Sequence, residues 1–182
     1  MQNSPLIKIS HLSKHFNLEA GFFARNRKTV YAVNDVSFSI ERGKTYGIVG
    51  ESGCGKTTTA RMLIQMYRQS GGEILYFPKT DESESPAEPL NVERFGRKEL
   101  KLYREKVKYV FQDPARSLNP RMSVFDVLIS GLKYSSMWQG KDNARILCEK
   151  IIQEVGLSPE DLNRRPAEFS GGQRQRISIA RG

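Results

Sequence analysis

Gly50-Glu51-Ser52-Gly53-Cys54-Gly55-Lys56-Thr57 is the stretch whose residue types and spacing say most about chemistry. Its glycines let a backbone fold tightly, with N–H groups turned toward a common centre. Lys56 adds a compact positive charge on a long stem, and the Thr57 hydroxyl is an oxygen ligand suited to Mg²⁺. The pattern G-x-x-x-x-G-K-[ST] makes a cradle for the tail of a polyphosphate, with Lys56 at the β- and γ-phosphates. Gly50, Glu51, Ser52, Gly53, Cys54, Gly55, Lys56, Thr57 and Thr58 are therefore the phosphate-contacting candidates. Cys54 holds a free position of the loop. Its plain role is a small residue whose backbone matters, but a thiol placed there should be alkylated faster without nucleotide than with it.

Such a cradle needs a strand entering and a helix leaving. Thr45–Val49 is a short apolar run, expected as the strand. Lys56–Tyr67 has helical period, with Ala60, Leu63, Ile64 and Tyr67 on one face, and the helix start adds positive partial charge at the loop. Upstream, Leu6–Phe16 and Val30–Ile40 alternate as strands around a polar, basic excursion at Asn17–Thr29, where Phe22 and Phe23 form at most a small satellite contact. Glu41-Arg42-Gly43 marks a turn. Downstream, Glu73–Phe77 is a strand after Gly71-Gly72, and Pro78–Gly96 reads as a solvated loop. Arg97–Lys106 is a short helix and Val107–Phe111 a strand. Ser123–Leu132 and Lys141–Val155 are helices. The second carries Ala144, Leu147, Cys148, Ile151 and Val155 on one face and Gly156 as its C-cap. Cys148 is thus expected as a buried structural thiol, and Ser158-Pro159 opens a further short helical turn.

A second segment, Phe169-Ser170-Gly171-Gly172-Gln173-Arg174-Gln175-Arg176, has the Ser-x-x-Gln spacing of a capping box and should start a helix. Its glycines leave the first-turn N–H groups accessible, which again suits an anion. Alone, it is a capped helix.

In this order the two segments resemble the ABC ATPase family, and the resemblance covers nearly the whole chain. It implies an α/β fold: a P-loop core with an antiparallel β lobe at the start and a helical subdomain. The expected division is residues 1–122 for core and lobe, 123–169 for the helical subdomain and 170–182 for the signature helix. In the family the signature of one subunit closes over the γ-phosphate held by the other, a role that Ser170, Gly171, Gly172 and Gln173 would carry. Phe169 stands where the motif usually has Leu. Gln112 resembles the family's Q-loop glutamine, which reaches the Mg²⁺ and the attacking water, so Thr57 and Gln112 are the implied metal contacts and Lys56 and Gln112 the implied catalytic residues. Phe16, in Leu12-Ser13-Lys14-His15-Phe16, resembles the aromatic that stacks on adenine, with Tyr31 as its rival. Gln112-Asp113-Pro114, Ser117-Leu118-Asn119-Pro120-Arg121 and Arg165-Pro166-Ala167-Glu168 resemble the di- and oligopeptide importer branch, whose relatives also handle nickel and other small solutes.

The resemblance implies ATP and Mg²⁺ as ligands and coupling of hydrolysis to solute uptake. It also implies permease subunits, a head-to-tail second ATPase subunit and, indirectly, a solute-binding protein as partners at the cytoplasmic face of the membrane. The 182 residues stop within the signature helix, before the family's apolar strand with its Asp (the Walker B Asp), catalytic Glu and switch His. The sheet is therefore expected to be incomplete, the isolated chain marginally stable or aggregation-prone, and hydrolysis absent from it. A soluble ABC ATPase of repair or translation, or a non-catalytic remnant, is the alternative. A long coiled coil of the repair type has no room between the motifs.

Bulk properties agree. A net charge of +9 comes from 29 Lys and Arg against 20 Asp and Glu, spread without a dense block, so no nucleic-acid partner is expected. Two cysteines without metal-ligand spacing suit a reducing compartment. His11 and His15 lack partner spacing for a metal. No apolar run is long enough to cross a bilayer, and no secretory leader is evident.

Overall fold

The computed structural model describes residues 5–18, 28–78, 88–111, 118–135 and 137–182. They form two compact units, Met1–Lys106 and Val107–Gly182.

The first unit is built on an antiparallel sheet of order β2-β1-β3-β4, from β1 (Ile7–Leu18), β2 (Lys28–Ile40), β3 (Gly71–Tyr76) and β4 (Leu90–Asn91). Ile7 pairs Ile40 on one side and Tyr76 on the other, and Ile9 pairs Phe38 and Ile74. Alternation puts Ile7 and Ile9 on the buried face, but the next buried residue of β1 is Leu12, not His11. A strand changes phase in this way only by inserting an extra residue. His11 does so at φ 52, opposite Asp35 at φ 50. The two left-handed residues are tied by His11 Nδ1 to Asp35 Oδ1 at 2.7 Å, by the His11 N–H donating to Ser37 Oγ, and by the Asp35 N–H donating to Ser13 Oγ. Gly72 lets β3 follow the kink, since a Cβ there would lie 2.3 Å from the His11 carbonyl oxygen.

Among the described residues this unit also holds α1 (Lys56–Leu63) and α2 (Arg97–Lys106). Met62, Ile64, Val92 and Tyr103 join Ile7, Ile9, Leu12, Val33 and Ile74 in its buried apolar set. Arg97–Lys106 is helical as expected. Of the loop expected at Pro78–Gly96, residues 79–87 lie outside the described residues, and the remainder is partly ordered into regular structure. Leu90–Asn91 pairs with β3, and Asn91 caps a short 3₁₀ turn, Val92–Arg94, whose Val92 is buried.

The strand expected at Thr45–Val49 does not form, and neither does that at Val107–Phe111. An apolar run becomes a strand only against another backbone, and neither run has a ladder partner among the described residues. Val49 is accordingly 95% exposed. The helix expected over Lys56–Tyr67 stops at Leu63.

The second unit holds α3 (Val124–Leu132), α4 (Lys141–Glu154), 3₁₀ turns at Pro159–Asn163 and Pro166–Glu168, and α5 (Gly171–Arg181). Leu118, Val124, Val127, Leu128, Ile129, Ala144, Cys148, Ile152, Leu162, Phe169 and Ile177 make one continuous core. Local chemistry sets the ends. Ser123 Oγ accepts from the Asp126 N–H. At the end of α4, the Gly156 N–H donates to Gln153 O and the Leu157 N–H to Ile152 O, with Gly156 at φ 74, a complete Schellman closure. The buried stripe of α4 is Ala144, Cys148 and Ile152, one position past the expected Ile151, which is exposed. Helical period permits either stripe; packing against α3 and α5 decides between them. Burial pushes the Cys148 thiol up to about 11, in keeping with a structural role. No helix among the described residues is long and apolar enough to cross a membrane.

Candidate functional site

Gly55 starts α1 as its N-cap, with φ 95 and ψ 0 and no side-chain cap, and Gly53 precedes it at φ 86. The loop is seated on β2 so closely that a Cβ on Gly55 would meet the Ala32 carbonyl oxygen at 2.3 Å and Val33 Cγ2 at 3.2 Å. Thr59 locks the cap from inside the helix, its N–H donating to Gly55 O at 2.8 Å and its hydroxyl to the same oxygen at 3.1 Å. Its buried position was not foreseen in the sequence, where the Thr57-Thr58-Thr59 run hides which threonine turns inward. The Cys54 N–H donates to Glu51 O, closing the loop on itself.

Lys56 bends back over this loop. Its ammonium donates to Gly50 O at 2.7 Å and to Glu51 O at 2.6 Å, and lies 3.6 Å from Cys54 Sγ. A charge held over the loop by its own carbonyls is of the kind that can meet an oxyanion. The first N–H groups of α1 have no intrahelical partner, and they carry the positive end of the helix dipole. Gly50, Glu51, Ser52, Gly53, Cys54 and Thr57 are exposed, while Gly55, Lys56 and Thr58 are half-buried. Together they offer one positive charge, an uncapped helix start and the Thr57 hydroxyl on one accessible loop.

The opposite end of α1 is held by α2. Gln65 takes φ 55 at the position that usually carries glycine. The Gln65 N–H donates to Met62 O and the Met66 N–H to Arg61 O. The next three carbonyls accept from α2: Leu63 O from the Tyr103 hydroxyl at 2.6 Å, Ile64 O from Arg104 Nε at 3.1 Å, and Gln65 O from the Arg104 terminal nitrogen at 2.9 Å. Burial, reinforced by Tyr76, raises the Tyr103 phenol well above its ordinary range, so it remains a donor. These contacts explain why α1 ends early.

An open cleft of ≈ 570 Å³ adjoins the loop, lined by Tyr31, Val33, Tyr46, Gly53, Cys54 and Lys56 among others. Of the two aromatics considered for the base, Tyr31 lines this cleft and Phe16 does not. The Phe16 ring instead carries the Lys14 ammonium at 4.9 Å and meets Tyr67 edge-on at 5.5 Å.

In the second unit, Ser170 Oγ accepts from the Gln173 N–H at 3.3 Å and Gln173 Oε1 accepts from the Ser170 N–H at 2.9 Å, the reciprocal capping box. Ser170, Gly171 and Gly172 are exposed, and a Cβ on either glycine would meet nothing within 4 Å. Phe169 anchors the motif. It is buried, its carbonyl accepts from Arg174, and the Arg164 guanidinium lies 4.4 Å from its ring centre. Arg164 also pairs with Asp161 and Glu168. The Arg165 backbone N–H, with Arg164 beside it, holds the Glu168 carboxyl below its ordinary value.

Gln112, Asp113, Pro114, Ser117, Phe22 and Phe23 lie outside the described residues, and among the described residues no group of three or more His, Cys, Asp or Glu could hold a metal ion. Thr57 is therefore the described member of the expected Mg²⁺ pair.

A family model described as ABC transporter matches residues 33–182. The oligopeptide transport ATP-binding protein OppF of Bacillus subtilis (strain 168) is 42% identical over 176 residues, 97% of this chain and 52% of that protein. The glutathione import ATP-binding protein GsiA of Escherichia coli is 38% identical over 181 residues, 100% of this chain and 27% of that protein. The chain thus spans about half the length of the first of these relatives and less of the second. Among solved structures, the ATP-binding cassette MJ0796, in a dimeric post-hydrolysis state bound to ADP and Pi, superposes with a TM-score of 0.73. The match covers 96% of this chain and 68% of that one at 22% identity, which establishes a shared fold. The α/β cassette fold is present here with its antiparallel lobe and helical unit formed, and among the described residues its core sheet is incomplete.

Proposed function

The chain belongs to the ABC transporter family, and on that premise we propose that Gly50–Thr58 binds the phosphate tail of ATP with Mg²⁺ in the ATP-binding subunit of an importer for peptide-like solutes. The observation that carries the reading is the Lys56 ammonium, bonded to Gly50 O and Glu51 O over a loop that leads straight into an uncapped helix start. The residues fit the ligand: Gly55 leaves no room for a side chain beneath the loop, and Gly53, Cys54 and Lys56 open onto the adjoining cleft. ATP, when bound, would supply a phosphoryl group transferable to water, leaving ADP and phosphate. Lys56 neutralises phosphate charge, the α1 N–H groups orient it, and Thr57 offers its hydroxyl to the metal. Gln112 is assigned to the metal and the attacking water, and Phe16 to the adenine ring with Tyr31 as its competitor. Ser170, Gly171, Gly172 and Gln173 are assigned to the nucleotide of a second, head-to-tail cassette.

The relatives support this solute class, one being an oligopeptide transport ATP-binding protein and another a glutathione import ATP-binding protein. Permease subunits, a second ATPase subunit and, through the permease, a solute-binding protein are the proposed partners, at the cytoplasmic face of the membrane. Titrating ATP into the chain and into its Lys56→Ala variant tests the site. The loss of a charge-assisted contact should weaken binding by about tenfold or more. Equal affinity in the two proteins would remove the proposal.

A further inference from the structure

We propose that Arg104, with Tyr103, is a positioning residue for the phosphate cradle, holding α1 from its far end. The inference rests on reading Gly50–Thr58 as a nucleotide site.

The helix that presents the cradle is eight residues long, so its two ends cannot move independently. Its C-terminus is weak in local terms. Gln65 occupies the left-handed position where glycine is normally needed, and the cap is made without one. Three successive carbonyls, those of Leu63, Ile64 and Gln65, are bonded by two adjacent side chains of α2. Arg104 reaches two of them with different nitrogens of one planar guanidinium, which fixes direction as well as distance. Its positive charge also sits at the negative end of the α1 dipole.

The N-terminal end of the same helix has no side-chain cap of its own, and its seat on β2 is set by a near-contact at Gly55. Small axial shifts of α1 therefore change where the Lys56 stem starts and where the first N–H groups point. A clamp of this kind acts on ligands that carry β- and γ-phosphates and has no leverage on the nucleoside part.

The experiment compares ATP, ADP and AMP binding to the wild-type chain, Arg104→Met, Arg104→Lys, Tyr103→Phe and Lys101→Met, with the folded fraction of each read by circular dichroism. Lys101 is an exposed lysine of the same helix and serves as the charge control. Arg104→Met should weaken ATP about three- to tenfold and leave AMP nearly unchanged, Arg104→Lys should recover part of the loss, and Lys101→Met should do nothing. Tyr103→Phe keeps the buried ring and should cost about two- to threefold, so it decides the matter if Arg104→Met does not fold. A folded Arg104 or Tyr103 variant with unchanged ATP affinity overturns the inference, as does an equal loss for AMP or for Lys101→Met. No ATP binding by the wild type would instead overturn the functional reading and, with it, this one.

Discussion

Replacing Gly55 by alanine attacks the cradle in two ways at once, and the neighbouring Gly53 separates them. Both glycines sit at positive φ, 95 and 86. For an L-residue that conformation costs about 1–2 kcal/mol, partly returned by the lower entropy of the unfolded chain. Around Gly53 an added Cβ meets nothing within 4 Å, so Gly53→Ala carries that strain alone. Around Gly55 the same methyl would stand 2.3 Å from the Ala32 carbonyl oxygen. That atom belongs to the backbone of β2 and cannot rotate away as a side chain would, so the strand or the loop must shift. Overpacking of this kind adds about 1–3 kcal/mol, which puts Gly55→Ala at roughly 2–5 kcal/mol in all. Urea unfolding followed by circular dichroism reads the difference directly. With a slope of about 1–3 kcal/mol/M, the midpoint of Gly55→Ala should fall below that of Gly53→Ala by about 1 M. Nucleotide binding should fall further for Gly55→Ala, since the shift moves the start of α1. Equal midpoints for the two variants would show that the close approach to β2 is not what demands glycine at position 55.

The two cysteines should react very differently. Exposed Cys54 should be modified at once by a disulfide reagent in native buffer and buried Cys148 only on unfolding, with MgATP slowing Cys54. A rate at Cys54 indifferent to MgATP would detach the loop from the ligand. The Glu168 carboxyl titrates below its ordinary 4.5, chiefly because it accepts from the Arg165 N–H. Its stabilisation is therefore complete above the ordinary value and is lost as pH falls through the lower folded one. The advantage of wild type over Glu168→Gln in unfolding midpoint should persist at pH 6 and shrink below pH 4; a difference constant across that range would sink the assignment.

What the sequence made legible, and what it hid, divides by distance along the chain. The capping box at Ser170 and Gln173 and the Gly156 closure each depend on residues within one or two turns, and both formed where composition and spacing placed them. The cradle is legible from the spacing of its glycines and Lys56, although the close approach of Gly55 to Ala32 is not. The end of α1 is not local. Leu63 to Tyr67 kept helical period, but the carbonyls that close the helix are bonded by Tyr103 and Arg104, about forty positions away. The rephasing of β1 at His11 was equally hidden, because it needs Asp35 on the facing strand to match it.

Thr45–Val49 and Val107–Phe111 press the point hardest, because their apolar composition met every local criterion for a strand. Hydrophobic alternation states which face a strand would bury; it does not supply the second backbone on which a strand depends. Tyr46 and Ile48 line the cleft beside Lys56 and are exposed by 50% and 42%, so the wall of the candidate site is the part of the fold whose stability local sequence determines least. The cradle escapes this dependence because it is fastened elsewhere, to Ala32 of β2 at one end of α1 and to Tyr103 and Arg104 of α2 at the other. On the proposed reading, the geometry of the Gly50–Thr58 loop rests on β2 and α2, both within the first unit.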